Sequence, residues 1–379
     1  MYNFYKWCNV SKIVGVMLVV GLLMFSGSSV RADEEIYIGV SAPLTGDNAE
    51  YGEYFRTSTL LAQEFINSQG GIRGAQLKLI IEDSKAEPKE AVLVAQRFVS
   101  DSRILAVVGD FSSSASMAAA EIYNPAGLVQ ISPTASHPEF TKIGKYIFRS
   151  GTTQAQEAPF LAEWVVKDLG MKKVATIYVN NDWGLVSNSN FVRRAKELGA
   201  TVTNEESFIP GDKDFTAIIT KMKQNQPELV FLGTMWTDGG LFATQMQKLG
   251  LKADLISHGG LTTEKLIEMA GNAVDGLRVS SFYFQDDPNP IVVDFTKRYT
   301  ERYNKLPHTH CVLAYDALML LARAIEEAGF DRAAIRDALA ATEGYEGVSG
   351  TFNFDENGDP VKSFLKLRLQ GDQWGLVED

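Results

Sequence analysis

Cysteine is scarce in this chain of 379 residues, which contains only Cys8 and Cys311. Cys8 lies in an N-terminal segment that we expect to be removed, so a single thiol remains and no internal disulfide can form. Cys311 stands in the apolar stretch CVLAYDALMLLARAI, which predicts a buried thiol within a helix. A chain of this length can bury enough apolar surface to form two domains without disulfides.

Positive charge is also in short supply. The sequence has 36 basic residues against 47 acidic ones, a formal net charge of −11. Removal of Lys6, Lys12 and Arg31 with the N-terminal segment would leave 33 basic residues and a charge of −14. A chain this acidic is repelled by phosphate backbones and anionic lipids. We therefore expect neither nucleic acid nor a membrane surface as a partner.

The first 32 residues contain no acidic side chain and have the pattern of a secretory signal. Their apolar core, Ile13 to Phe25, is short for a membrane span. Val30-Arg31-Ala32 then fits a small-x-small cleavage site before Asp33. We predict a cleaved signal peptide over residues 1–32, with an uncleaved N-terminal anchor as the alternative. No cysteine follows the apolar core, which argues against a lipid anchor.

The sequence lacks the usual signals of catalysis, cofactors and metal binding. It has no Walker loop, no G-x-S-x-G motif, and no evident Ser/His/Asp set or carboxylate pair. The glycines of 70–74 follow a predicted helix and precede a strand, which is the reverse of a dinucleotide-binding loop. The four histidines have no spacing that brings a pair to one helix face. We therefore predict neither an enzyme nor a bound cofactor or metal ion.

Predicted strands and helices alternate along the chain in two runs, 35–150 and 152–280. This alternation is typical of parallel sheets with right-handed crossovers, so we predict an α/β fold with two doubly wound parallel sheets. After residue 280 the pattern changes to long helices. Residues 350–377 then read as hairpins, with a turn at Asn357-Gly358.

Serines crowd the start of one predicted helix. GDFSSSAS follows the buried-looking strand 104–108 and leads into MAAAEIY. The first backbone N–H groups of a helix have no internal acceptor and carry partial positive charge, so serines there can help to bind a carboxylate or phosphate. The alternative is that Ser112, Ser113 and Ser114 only cap the helix.

A second hydroxyl-rich loop, ISPTASHPE, also follows a strand of the first run. Ser136 and Glu139 have the spacing of a capping box, which is again the alternative interpretation. Strand ends of one parallel sheet meet at one edge, where ligands of such sheets bind. Two such loops are therefore expected to converge on one anion.

The motifs and their order resemble the type I periplasmic binding proteins, and within them the leucine/isoleucine/valine-binding branch of ABC importers. The resemblance covers the whole mature chain and is carried by VSAPLTGDNAEYGEYFRTSTLLAQEFINSQGGIRG, LIIEDSKAEPKEAV, VVGDFSSSAS, ISPTAS, YVNNDWG and VSGTFNFDENGD. It implies two lobes joined by three crossovers near Gly151, Ser280 and Ser349, with a ligand in the cleft between them. Lobe 1 would be 33–151 plus 281–348, and lobe 2 would be 152–280 plus 349–379.

The resemblance also implies a biological role. The protein would be a periplasmic monomer that captures a small carboxylate, most simply an apolar or branched-chain amino acid. Closure around this ligand would present both lobes to the membrane permease of an ABC transporter. A sensory role, in which the closed form docks on a signalling receptor, is compatible with the same fold.

By resemblance, lobe 1 supplies the polar contacts to the ligand. Ser113 would bind the ligand carboxylate through its hydroxyl and backbone N–H, and Ser136 would do likewise. Thr134 would offer its carbonyl oxygen to an ammonium group. Tyr51, in the AEYG turn, would line the mouth of the cleft.

Lobe 2 would supply the wall that closes over the ligand. Trp183 falls where an aromatic side chain commonly covers the ligand; the alternative is a core tryptophan beneath a helix start capped by Asp182. Met235 and Trp236 would form the far wall, with the sequence leaving open which of them points inward.

One position departs from the branch, which usually supplies a glutamate from lobe 2 for the ligand's ammonium group. Here the corresponding loop reads His258-Gly259-Gly260, with Gly259 at the acidic position. A buried ammonium without a carboxylate is unfavourable. Either Asp238 or Glu157 compensates, or the ligand is an aromatic or aliphatic acid that lacks the ammonium group.

Overall fold

In the computed structural model, which describes residues 35–377, a first parallel sheet is built by the N-terminal part of the chain. The predicted signal peptide lies outside the described residues. The sheet order is β2-β1-β3-β4-β5, and helices cover both faces. Its elements are β1 Glu35–Ala42, α1 Ala49–Ser68, β2 Gln76–Asp83, α2 Pro88–Ser100, β3 Ile104–Val108, α3 Ser113–Tyr123, β4 Val129–Ser132 and β5 Ile147–Arg149.

The second sheet repeats this pattern. Its parallel strands lie in the order β10-β9-β8-β6-β7. The elements are α4 Gln154–Glu163, β6 Lys173–Val179, α5 Asp182–Glu197, β7 Thr201–Phe208, α6 Thr216–Asn225, β8 Leu229–Gly233, α7 Trp236–Leu249, β9 Asp254–Ser257, α8 Glu264–Ala270 and β10 Arg278–Ser281. The predicted α/β fold with two doubly wound parallel sheets is thereby confirmed.

The chain then returns to the first sheet, where three helices and a small hairpin complete its core. These elements are α9 Pro290–Tyr303, α10 Thr309–Ala328, α11 Arg332–Ala340, β11 Tyr345–Gly347 and β12 Gly350–Phe352. Helix α10 is buried along most of its length against α1 and the sheet. Cys311 lies inside it as a buried free thiol, as the sequence predicts.

Residues after Ser349 do not join the second sheet at once. Phe352 packs in the core of the first sheet, and Asp359 pairs with Arg149 at the end of β5. The predicted turn at Asn357-Gly358 is spanned only by an isolated bridge. The lobe boundary predicted near Ser349 would assign these residues to lobe 2. Here β12 pairs with β11 beside the first sheet and not with a later strand.

The last two strands, β13 Leu365–Gln370 and β14 Gln373–Leu376, form the predicted hairpin and extend the second sheet beside β10. Just before them Lys362 donates hydrogen bonds to Ser150 O and Ser349 Oγ, both at 2.5 Å. Its ammonium group also lies 4.1 Å from the centre of the Phe352 ring. Lys362 thus ties this passage of the chain to the one that follows β5.

No helix among residues 35–377 combines the length and the apolar character needed to cross a bilayer.

Candidate ligand-binding site

A cavity of about 510 Å³ lies where the carboxyl ends of the two sheets meet. Loops after β3 and β4 line it from the first sheet, and loops after β6, β8 and β9 line it from the second. This is the edge at which doubly wound sheets bind ligands, because strand order reverses there and the loops diverge. Of the predicted site residues, the cavity is lined by Ser113, Thr134, Ser136, Trp183, Met235, Asp238 and Gly259.

Ser113 is the first residue of helix α3, and its hydroxyl group is available to a ligand only as a hydrogen-bond donor. Its Oγ accepts hydrogen bonds from the backbone N–H groups of Ser136 and His137, both at 3.2 Å. With both lone pairs occupied, the hydroxyl hydrogen is left to bond an acceptor. The N–H groups of Ser113 and Ser114 have no intrahelical acceptor, since they belong to the first turn. The capping role falls instead to Ser112, which accepts from Ala115 N at 3.2 Å.

Ser136 is arranged in the same way by different donors. Its Oγ accepts from Trp183 Nε1 at 2.9 Å and from Gln154 Nε2 at 3.2 Å. The hydroxyl hydrogen is again not used within the protein, so it can donate a hydrogen bond to an acceptor in the cavity. The capping box of the alternative interpretation does not form, since Glu139 N donates to His137 Nδ1. Two serine hydroxyls therefore line one cavity as donors.

Thr134 has already used its hydroxyl, which donates to Phe111 O at 2.7 Å. What this residue can still offer the cavity is its carbonyl oxygen, in line with the role expected from the sequence.

Trp183 lies at the start of α5, where it is partly buried and packs at the edge of the second sheet's hydrophobic core. Its indole ring packs edge-on against His258, with ring centres 4.7 Å apart, and its Nε1 reaches Ser136 across the cleft. The helix is capped by Asn181, which accepts from Gly184 N at 2.8 Å, and not by Asp182 as in the alternative interpretation. The indole therefore connects the second sheet to the loop after β4 of the first sheet, which carries Ser136.

Tyr51 and Trp236 do not line the cavity. Tyr51 is 1% exposed and lies behind Phe111, with the two rings stacked at 4.6 Å. Its hydroxyl donates to Gly260 O at 3.1 Å, so it links α1 to the loop after β9. Trp236 packs against the hydrophobic cores of both sheets. Met235, just before helix α7, is the residue of that pair that faces the cavity.

Gly259 cannot be replaced by a larger residue without rearrangement. A Cβ atom placed there would lie 2.6 Å from Ser280 O and 3.3 Å from Thr309 Cγ2. The two alternative acids both reach the cavity. Burial raises the pKa of Asp238 and of Glu157.

Several polar lining residues are not indicated by the sequence, among them Gln154, Ser280 and His310. Gln154 and Ser280 lie next to the passages between the sheets, a position that could have drawn attention to them. His310 is in the first turn of α10, and nothing in the local sequence indicates that it lines a cavity. Residues 35–377 contain no cluster of His, Cys, Asp and Glu side chains suited to a metal ion.

Burial favours the neutral form of the histidines beside the cavity. His258 accepts from Gly260 N through Nδ1, which leaves Nε2 to donate to Thr234 O at 2.8 Å. Burial lowers the pKa of His258 to about 4 and that of His308 to about 3. It also lowers the pKa of His310. A ligand carboxylate would therefore be held by dipoles and hydroxyls, without an imidazolium.

The neutral state of His258 predicts a pH effect on stability. Its pKa falls from the ordinary value of 6.5 to about 4 on folding. Between these values only the unfolded state binds the proton, so stability present above pH 6.5 is lost as the pH falls towards 4. Urea denaturation of the wild type should show a loss about 1.4 kcal/mol per pH unit greater than that of His258→Gln in this window. Equal pH slopes would contradict a neutral buried imidazole.

Comparison with known proteins gives the same picture. Residues 35–372 match the family described as periplasmic binding protein. The leucine-, isoleucine-, valine-, threonine- and alanine-binding protein of Pseudomonas aeruginosa is 32% identical, over 94% of each chain. A Leu/Ile/Val-binding protein homolog of Brucella suis is 30% identical, over 91% of this chain and 92% of the relative.

Solved structures agree with the fold. The branched-chain amino acid transporter substrate binding protein LivJ from Streptococcus pneumoniae, in complex with isoleucine, superposes with a TM-score of 0.86 at 28% identity, covering 91% of this chain and 99% of that one. A solute binding protein of an ABC transporter from R. palustris, in complex with benzoate, has a TM-score of 0.83 at 22% identity, covering 90% and 95%. The resemblance found in the sequence is thus confirmed: the chain belongs to the periplasmic binding protein family.

Proposed function

We propose that this protein is the substrate-binding component of an ABC importer and captures a small carboxylate, in the first place an apolar or branched-chain amino acid. The observation that carries the proposal is the pair of serine hydroxyls, Ser113 and Ser136, each left with only its hydrogen to offer. With the first turn of α3 they form a site for a carboxylate. The relatives named for leucine, isoleucine and valine support an amino acid as the ligand.

Contacts between the two sheets support a mechanism of closure. Tyr51 and Glu50 on α1 reach Gly260 O and the Thr263 hydroxyl, at 3.1 and 3.0 Å. A ligand that touches both sides binds the closed arrangement more tightly than the open one and so shifts the population towards it. The closed protein would then dock on a membrane permease as a periplasmic monomer, after cleavage of residues 1–32. The cleft would bind without turnover.

Binding to the stripped protein tests this function. Protein unfolded, dialysed and refolded to remove carried ligand should give calorimetric heat with leucine, isoleucine or valine. Mass spectrometry of the protein before refolding should find the same compound. Absence of heat from all amino acids would reject the main proposal.

A second ligand class is favoured by one observation, the glycine at position 259. An aromatic or aliphatic acid needs no carboxylate partner there, and Trp183 could cover its ring or chain. A thermal-shift panel of such acids tests this alternative, which fails if none raises the unfolding temperature.

A further inference from the structure

We infer that Glu157 binds the ammonium group of the ligand, so that the site takes an α-amino acid although the loop after β9 carries no acid. This inference rests on the proposed function. It names an acid from helix α4, which belongs to the same predicted lobe as the loop after β9, where the branch-typical residue would stand.

Glu157 is a buried carboxylate without a positively charged partner. It is 8% exposed, lines the cavity and forms no ion pair with any residue in the described part of the chain. Its oxygens accept from Ser280 Oγ at 2.7 Å and Gln154 Nε2 at 2.9 Å. Each oxygen keeps a further lone pair. A buried charge is unfavourable unless it is paired, and an ammonium group in the cavity would pair it.

Glu157 is also close to the group that would hold the ligand carboxylate. The amide of Gln154 donates both to Glu157 Oε2 and to Ser136 Oγ, at 2.9 and 3.2 Å. A single amide nitrogen therefore bridges the Glu157 carboxylate and the Ser136 hydroxyl by donating a hydrogen bond to each. In an α-amino acid the carboxylate and the ammonium group are both attached to the α-carbon. Their closeness fits the short separation between Ser136 and Glu157.

The position of Ser280 explains why the acid comes from α4. A side chain at Gly259 would run into the carbonyl oxygen of Ser280, 2.6 Å from the Cβ site. The hydroxyl of the same serine orients Glu157 from the other side. Glu157 thus reaches the end of β10 that an acid on the β9 loop would have approached.

Asp238 fits the role less well. It is only partly buried, and its nearest partner is the Thr234 hydroxyl at 3.3 Å. No hydrogen bond connects it to Ser113 or Ser136. It sits in the first turn of α7, where a carboxylate is stabilised by the helix dipole without a ligand.

Burial raises the pKa of Glu157, and a neighbouring ammonium group would lower it again. Binding of an amino acid is therefore expected to release protons at pH values between the pKa of Glu157 in the complex and its pKa in the empty protein. Calorimetry in two buffers that differ in ionisation enthalpy measures this release directly, and it requires no variant.

The test compares an amino acid with its deaminated analogue, leucine and 4-methylpentanoate, on stripped protein. The wild type should prefer leucine. In Glu157→Gln the dissociation constant for leucine should rise at least roughly tenfold, whereas 4-methylpentanoate should bind as tightly as before or more tightly. Glu163→Gln is the same change on a partly exposed residue of the same helix that pairs with Lys167 and Arg194 and does not line the cavity, so it should leave both affinities unchanged.

Three outcomes would overturn the inference. Leucine affinity within twofold of wild type in Glu157→Gln would remove the residue from ammonium binding. Equal loss of both compounds, in a variant that unfolds at the wild-type temperature, would assign it a structural role. Wild-type protein that takes up only the deaminated acid would overturn both the inference and the amino-acid function, which separates that failure from the first two. If Glu157→Gln does not fold, absence of proton release by the wild type at every pH at which the protein stays folded decides against the inference.

Discussion

Replacing Asp359 by alanine is expected to lower the free energy of unfolding by about 3–5 kcal/mol, because it leaves a buried guanidinium without its counter-charge. Arg149 is fully buried, and its Nε lies 2.5 Å from Asp359 Oδ1. The Thr141 hydroxyl donates to the same oxygen at 2.9 Å. No other acid forms an ion pair with Arg149 among the described residues.

The same change should weaken ligand binding, because Arg149 holds the loop after β4, which carries Ser136, in position. Its Nη1 donates to Ala135 O at 2.7 Å and its Nη2 to His137 O at 2.9 Å, on either side of Ser136. Without Asp359 the guanidinium loses the partner that fixes its orientation, which weakens its hydrogen bonds to both carbonyls. Binding should therefore fall even at temperatures where the variant is folded.

Chemical denaturation provides the measurement for Asp359→Ala. Glu64→Ala serves as the control, since it breaks an ion pair with Arg302 in which both side chains are about half exposed. Exposed pairs contribute about 0–1 kcal/mol. If Asp359→Ala were no more destabilising than Glu64→Ala, the Arg149 pair would not hold the loop.

Ser113→Ala is expected to weaken ligand binding by about 1–3 kcal/mol, since it removes a donor from a buried charged group. The change also affects two neighbouring groups. The backbone N–H groups of Ser136 and His137 donate to the same Ser113 oxygen and would lose their acceptor. The effect should therefore appear in the dissociation constant for every carboxylate ligand of the protein.

Ser116→Ala is the matched control for this change. Ser116 lies one turn further along the same helix, is equally buried, and has a hydroxyl oxygen without a hydrogen-bond partner among the described residues. Its replacement should leave the dissociation constant unchanged. If the Ser113 and Ser116 variants bound ligand equally well in calorimetry, Ser113 would not belong to the site.

Much of this arrangement could be predicted from local patterns. The alternation of strands and helices determined the two sheets, and strand-loop-helix order placed Ser113 and Ser136 at one edge. These features follow from short stretches of sequence and from the geometry of parallel sheets.

The remainder depends on contacts between distant residues. Whether Met235 or Trp236 faces the cavity depends on how α7 packs between two cores. Tyr51 is buried because Phe111 stacks on its ring while Tyr54 and His310 pack beside it. Glu157 could be named as a candidate acid, but its link through Gln154 to Ser136 joins two separate elements. No periodicity in the sequence reports such pairings.

A crystal structure of the protein with the compound that copurifies, or with its tightest amino acid, tests the central claim most directly. We predict a carboxylate within hydrogen-bonding distance of Ser113 Oγ and Ser136 Oγ, with the Trp183 indole against the rest of the ligand. A ligand held elsewhere, or one anchored in this cavity by other atoms while both hydroxyls point away, would contradict it.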